Sequence, residues 1–351
     1  MSLKKSKILI ISLTRKGSID YAIEMCKYFR PLSPAYIFAE NIRTRPPFEA
    51  DYIKTYSGSL FSFILNSVLF FFKAPGILRE FQSGPQKNLT IYFPVFHLWN
   101  IIWTFWARRM NIDIVNTTHD FRTHKGEKNI LVEYLQRQVI SKSKINVFLS
   151  DFVLDQAKKY TGLELNKSFV LPHPILENEV THNLPYSKKP SLLFLGRGVD
   201  YKGISLLTEA SKGLSISKLT VAGENVSQYE VKDQHFLFVD KYIEKNEMVE
   251  LALSHEILVL PYTEATQSGV LALGAGAGIP MVISRVGGLP EQLNEKSAQW
   301  TNADVMALKT GISELINDEH KYLAVRRELK LFCNQFQQDW EVKFNQMLNL
   351  E

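Results

Sequence analysis

Residues 256–293 read EILVLPYTEATQSGVLALGAGAGIPMVISRVGGLPEQL, and their pattern decides the fold. Ile257-Leu258-Val259-Leu260 is a short apolar run stopped by Pro261, the signature of a buried strand. A polar loop follows from Tyr262 to Gln267. Ser268 then stands at the N-cap position of a helix opening on Val270-Leu271-Ala272-Leu273. Gly276 and Gly278 are expected to end that helix, and Pro280 to Ser284 reads as the next strand. Strand, helix and strand in so few residues make a βαβ unit, which requires a parallel sheet and a right-handed crossover. In such sheets the loop from a strand's carboxyl end into a helix N-terminus is where anionic ligands bind.

Upstream the same alternation recurs. A strand over Ser191–Leu195 runs into Gly196-Arg197-Gly198-Val199-Asp200-Tyr201-Lys202-Gly203 and a helix from Ile204. Strands at Lys218–Ala222 and His235–Val239 follow, then a helix near Asn246–Ser254, and helices fill Val305 to the end. After Val170-Leu171-Pro172-His173-Pro174 the chain turns rich in Asn, Pro, Ser and Lys as far as Pro190, the composition of a domain boundary. Before it, strands at Lys7–Leu13, Thr90–Pro94, Asp113–Thr117 and Lys144–Leu149 alternate with helices over Ile19–Phe29, Glu127–Ser141 and Phe152–Tyr160.

The 351 residues suffice for two domains, and 45% hydrophobic with 22% charged residues is a soluble globular composition. Cys26 and Cys333 fit no metal or disulfide spacing, which points to a reducing, cytoplasmic setting. The N-terminal apolar run is short and leads into Arg15-Lys16, so it reads as a first strand and not a signal peptide. Residues 1–150 carry 21 Lys/Arg against 10 Asp/Glu, whereas the remainder carries 20 against 26. A basic first half suits an anionic partner such as a diphosphate or lipid head groups. No nucleic-acid-binding motif accompanies the charge, so nucleic acid is not expected.

Leu60 to Phe72 is very apolar but shorter than the roughly 20 residues a bilayer-spanning helix needs. It fits either a buried helix or one lying in a membrane interface. Phe70-Phe71-Phe72-Lys73, Arg79, Trp103, Trp106, Arg108 and Arg109 favour the second, and the frequency of aromatic stripes in cores favours the first. Thr14 to Ser18 is a βα loop in which Gly17 suits either a plain turn or an acceptor-side phosphate loop. His119 and Asp120 end a strand and are placed for a site, with His124 a weaker candidate. In the second half, Arg197 and Lys202 flank a glycine-containing loop. Facing the amides of Ser268, Gly269 and Val270, they would clamp a diphosphate. Glu264, an acid beside that clamp, suits hydrogen bonding to sugar hydroxyls.

These pieces in this order resemble the GT-B-fold nucleotide-sugar glycosyltransferases, most closely the retaining enzymes of family 4. The matching stretches are Thr117–Asp120 (TTHD), Val147–Phe152 (VFLSDF), Val170–Pro174 (VLPHP), Leu195–Ala210, Leu219–Glu224 (LTVAGE) and Ile257–Glu291. The resemblance implies an α/β chain of two Rossmann-like domains facing a cleft. Its parts would be an acceptor domain over 1–173, a donor domain over 174–330 and a C-terminal helix over 331–351 crossing back to the first domain. It implies that Arg197 and Lys202 hold the donor diphosphate and that Ser268, Gly269, Val270 and Leu271 lie over the phosphates. Glu264 would contact the donor sugar, Tyr242 and Ile243 the base, and His119 would reach toward the donor sugar. No metal or other cofactor is expected. The implied donor is a UDP- or GDP-sugar, and the acceptor a glycan or polyprenyl-diphosphate-linked glycan of cell-surface polysaccharide synthesis. That acceptor is reached in the cytoplasm or peripherally on the inner face of the membrane. One departure stands out: the family's second glutamate, which holds ribose hydroxyls, would fall at Ala272. The alternative is a catalytically silent GT-B protein that binds a glycan or a partner.

Overall fold

The computed structural model describes residues 3–15, 17–55, 58–83, 88–122, 129–160, 163–176 and 181–350. They form two compact units: the first holds the described residues through 171 together with 341–350, and the second holds 172–340.

The first unit runs β1 (Lys7–Ser12), α1 (Ile19–Phe29), β2 (Ala35–Ala39), β3 (Asp51–Ile53), α2 (Leu60–Gln82) and β4 (Leu89–Phe93). It continues with α3 (Asn100–Arg109), β5 (Asp113–Thr118), α4 (Ile130–Lys142), β6 (Ile145–Phe148), α5 (Asp151–Lys158) and β7 (Lys167–Val170). The seven strands form one sheet in the order β3-β2-β1-β4-β5-β6-β7, every pair parallel. The central strands β1 and β4 are apolar almost throughout and buried, as strands covered on both faces must be. The edge strands β3 and β7 are short and partly exposed, and so lack the apolar run that would announce them.

The apolar run at Leu60 is the first half of a 23-residue helix and not a short element. Ser59 caps it, its Oγ accepting from Ser62 N at 3.2 Å. Pro75 lies inside it. Proline has no N–H to give the carbonyl four residues back, and the indole Nε1 of Trp106 donates to that carbonyl, Phe71 O, at 2.7 Å. The helix therefore runs on through the proline. Its buried face is narrow, formed by Phe70, Ala74 and Leu78. Phe70 stacks on Trp99 with ring centroids 4.2 Å apart. Most of Leu60–Phe72 is exposed, so the run is not a core helix.

The second unit runs β8 (Ser191–Leu195), α6 (Ile204–Ser211), β9 (Lys218–Gly223), β10 (Phe236–Asp240), α7 (Lys245–Leu253) and β11 (Ile257–Leu260). Then come α8 (Gly269–Ala277), β12 (Met281–Ser284), β13 (Gln299–Thr301), α9 (Val305–Asn317) and α10 (Glu319–Leu348). Its sheet is parallel, in the order β10-β9-β8-β11-β12-β13. Gly278 ends α8 in the left-handed conformation, whereas Gly276 lies within the helix. A Cβ on Gly276 would fall 1.8 Å from Leu176 O, so this glycine lets the incoming chain pack on the helix and is not a stop. The last helix begins at Glu319, well before residue 331, and its final turns belong to the first unit. There Phe344 packs edge-on against Phe29 at 5.0 Å.

Candidate functional site

In the second unit, loops at the carboxyl ends of β8, β9 and β11 are laced together. Gly196 N donates to Ala222 O at 3.0 Å and Gly198 N to Glu224 O at 2.7 Å, which ties the backbone on both sides of Arg197. Tyr201 O accepts from Thr263 N at 2.8 Å, joining the turn Asp200–Lys202 to the loop after β11. Gly203 closes that turn at φ +69, and a Cβ there would lie 1.9 Å from Pro261 O. Only glycine meets both demands.

These ties place the two expected cations. Arg197 Nη2 donates to Tyr201 Oη at 3.4 Å. Lys202 Nζ lies 3.7 Å from the centroid of the Tyr262 ring, and Tyr262 Oη is 3.4 Å from Ser268 Oγ. Arg197, Lys202 and Ser268 are thus connected through Tyr201 and Tyr262. Tyr262 is buried, and burial pushes its hydroxyl up to about 12. It is therefore a neutral phenol that offers Lys202 a ring face without competing for its charge.

Ser268 takes the extended N-cap conformation of α8, its Oγ accepting from Leu271 N at 3.2 Å. Gln292, which the motif reading passed over, grips the same residue. Its Oε1 accepts from Ser268 N at 2.6 Å and its Nε2 donates to Ser268 O at 3.3 Å. With residue 268 held at several atoms, the first-turn amides of Gly269 and Val270 lie where a helix has no internal acceptors and its dipole favours an anion. Glu264 is half-buried between two anchored neighbours: Thr263 is tied to Tyr201, and Ala265 O accepts from Gly288 N at 3.1 Å.

Tyr242, half-buried, and Ile243, buried, follow β10. The end of that strand is fixed by Asp240, whose carboxylate accepts from Asn225 N at 2.7 Å and Ser227 N at 3.0 Å. The hydrogen bond from the Ser227 hydroxyl, together with those backbone bonds, holds its carboxyl below the usual range. Ala272 is buried among the apolar residues of the unit and brings no polar group to α8. His173, within the VLPHP stretch, is a further residue at this site. Its Nδ1 donates to Pro174 O at 2.8 Å, and its Nε2 lies 3.6 Å from where a Cβ on Gly269 would stand. A histidine just before the boundary proline was the only sequence signal for it.

A cavity of about 890 Å³ lies elsewhere in this unit, among Thr181–Asn183, the end of α8 and α10. It contains none of the expected donor residues. Arg326 at its wall is committed to the carbonyls of Leu184 and His182, which makes it a structural tie between α10 and the preceding chain.

In the first unit, His119 is buried at the end of β5, edge-on to Tyr21 at 4.5 Å. Its Nε2 donates to Pro94 O at 2.9 Å, and its Nδ1 has no hydrogen-bond partner among the described residues. Burial lowers its pKa, so the ring is neutral with the Nδ1 lone pair unused. Gly17 has φ +63 and open space where a Cβ would stand, so no packing partner constrains it. Nearby in sequence, Arg15 lines a cavity of about 290 Å³ with Phe63, Phe96, His97, Leu98 and Val132. Lys16 and His124 lie outside the described residues. No group of three potential metal ligands occurs among the described residues.

Residues 189–318 match the family model described as glycosyl transferases group 1. No curated protein matches the sequence. Solved structures similar to the chain include Anabaena HepE in complex with UDP and glucose, with TM-score 0.75, 13% identity, and 98% of this chain and 99% of that one covered. Sucrose-phosphate synthase from Thermosynechococcus elongatus gives a TM-score of 0.74 at 12% identity, covering 97% of this chain and 98% of the other. The lipopolysaccharide outer core galactosyltransferase WaaB gives 0.68 at 13%, covering 97% and 99%. Such identities speak to fold, and the family match speaks to the unit that carries the laced loops. The second unit thus contains a glycosyl transferases group 1 domain, and the chain as a whole has the GT-B fold of the glycosyltransferase structures it resembles.

Proposed function

We propose that the chain is a retaining hexosyltransferase that moves a sugar from a nucleotide diphosphate to a glycan or lipid-linked glycan in cell-surface polysaccharide synthesis. The donor is a UDP- or GDP-sugar, and the enzyme works on the cytoplasmic side. One observation carries the donor half of this reading. Arg197 and Lys202 are joined through Tyr201 and Tyr262 to Ser268, the N-cap of α8. Two cations and the Gly269 and Val270 amides suit a diphosphate. HepE, similar in fold, has been solved with UDP and with UDP-glucose, which supports a uridine donor.

In this mechanism negative charge grows on the departing diphosphate as the sugar's anomeric bond breaks. Cations and amides fixed before the reaction stabilise that growing charge more than they stabilise the bound donor, and this difference lowers the barrier. Glu264 accepts from donor-sugar hydroxyls. The departing phosphate oxygen takes the acceptor's proton on the face it leaves, so configuration is retained. His119 is a neutral ring whose Nδ1 lone pair has no partner among the described residues. Arg197 and Lys202 supply the charge neutralisation, so no metal has a step in this scheme.

Ala272 supports the second reading, a silent binding protein, because a glutamate there would have held the ribose. Its loss forfeits one or two hydrogen bonds of about 0.5–1.5 kcal/mol each, which weakens a nucleotide without abolishing its binding. The deciding experiment is a thermal-shift scan with UDP, GDP, dTDP, ADP and CMP on wild type and Lys202→Ala. A nucleotide at a hundred times its dissociation constant adds about 2.7 kcal/mol of stability. UDP or GDP is expected to stabilise the wild type and not the variant, and the matching nucleotide sugar is expected to be turned over. Stabilisation by none of the five, with no turnover, would leave the silent binding reading.

A further inference from the structure

The exposed face of α2 is an apolar feature that the donor site leaves unexplained. Phe61, Ile64, Leu65, Val68, Leu69 and Phe72 are each about half to three-quarters exposed. At 100° per residue they fall on the side of the helix opposite Phe70, Ala74 and Leu78, which pack into the core. Seven residues beyond Phe72 the same stripe reaches Arg79, also exposed. The start of α4 adds exposed Ile130, Leu131 and Tyr134. Both helices also border the Arg15-containing cavity, through Phe63 and Val132.

Along the sequence that contains α2 the charge is one-sided. Between Asp51 and Asp113 the chain carries Lys54, Lys73, Arg79, Lys87, Arg108 and Arg109, and a single acid, Glu80. By length and hydropathy α2 could cross a membrane. Its connections forbid that: it is the crossover between β3 and β4, strands of one parallel sheet, and one side is packed on that sheet's core. An apolar stripe on a sheet-bound helix that ends at Arg79, in a segment rich in cations and nearly without acids, matches a helix lying in the head-group region.

We propose that this face docks the first unit onto a bilayer containing anionic lipid, with the side chains from Phe61 to Phe72 entering the acyl boundary. The cavity bordered by Phe63 and Val132 then opens at the lipid surface, and its lining, four apolar side chains with the Arg15 guanidinium, Thr55 and His97, fits an acceptor whose sugar is carried on a lipid phosphate. This deepens the proposed acceptor class and rests on it for the ligand, whereas the docking surface stands on the exposed face alone.

The test is flotation of the full chain with phosphatidylglycerol–phosphatidylcholine vesicles and with phosphatidylcholine vesicles, at low and high salt. Wild type is expected to float with the anionic vesicles at low salt and to fall away at high salt. Phe61→Asp/Phe72→Asp is expected to bind at least tenfold more weakly, with its melting temperature and its response to UDP unchanged. Wild type remaining unbound at low salt, or the double variant floating as well as wild type, would overturn the proposal. So would a wild-type dimer in sedimentation velocity that the double variant dissociates without vesicle binding, since the face would then join two copies. Loss of the UDP response in wild type itself would count against the donor reading instead.

Discussion

α2 and α8 are both crossover helices of a parallel sheet, yet they meet their surroundings in opposite ways. α8 has nine residues, six of them buried, and contains two internal glycines that let neighbours approach. Its N-terminus is tied down by Ser268 and Gln292. α2 has 23 residues, only three of them buried. A crossover connection dictates that a helix packs on the sheet, but not how much of the helix is covered. Coverage depends on what else reaches it. Around α8 the loops of β8 and β11 and the chain at Leu176 close in. Along α2 only one side is packed among the described residues. The comparison teaches that an apolar helix is not thereby a core helix, and that the covered one is the shorter.

The largest expected effect divides α2 itself. Phe70→Ala removes a ring stacked on Trp99 and is expected to cost about 3–5 kcal/mol. Phe72→Ala, on the open side, should stay within about 0.5 kcal/mol. Urea unfolding of both variants checks this, and equal losses would break the contrast between the faces.

The next effect compares the units through one histidine in each. Burial and the nearby Arg15 push His97 down to about 4 in the first unit. Burial does the same to His182 in the second, also to about 4. Because the unfolded chain takes up these protons near pH 6.5, stability present above that pH falls as pH drops and levels off near 4. Each group contributes up to about 3 kcal/mol to the fall. Urea midpoints at pH 7, 6 and 5 should decline, and His182→Gln should flatten the decline while His97 keeps its share. A flat profile in the wild type would mean that neither ring is held neutral by the fold.

The smallest effect lies at α8. Ser268→Ala deletes the cap and is expected to cost about 1 kcal/mol. It should also weaken nucleotide binding, since Gln292 then holds the N-terminus by backbone alone. A stability loss without any change in nucleotide affinity would separate the cap from the donor site.

Much of the second unit was legible in residue order, because its elements announce themselves. The run Ile257–Leu260 is a strand with those limits, and Ser268 is the N-cap. Periodicity and cap chemistry are local properties, carried by neighbouring residues. Gly276 misled because a glycine near a helix end can equally be a stop or a space for another chain, and only the place of Leu176 tells which. Gln292 and His173 act on α8 from distant positions, so no local pattern exposed them.

What the sequence by itself determined is the class of fold, the order of strands and helices in the second unit, and the residue types suited to a diphosphate. These follow from spacing, turn chemistry and charge along the chain. Only the tertiary structure decided that Tyr201 and Tyr262 link Arg197 and Lys202 to Ser268, that His119 is a buried neutral ring, and that Leu60–Phe72 faces outward. Those outcomes depend on contacts between residues far apart in the chain, and on which surfaces are left without one.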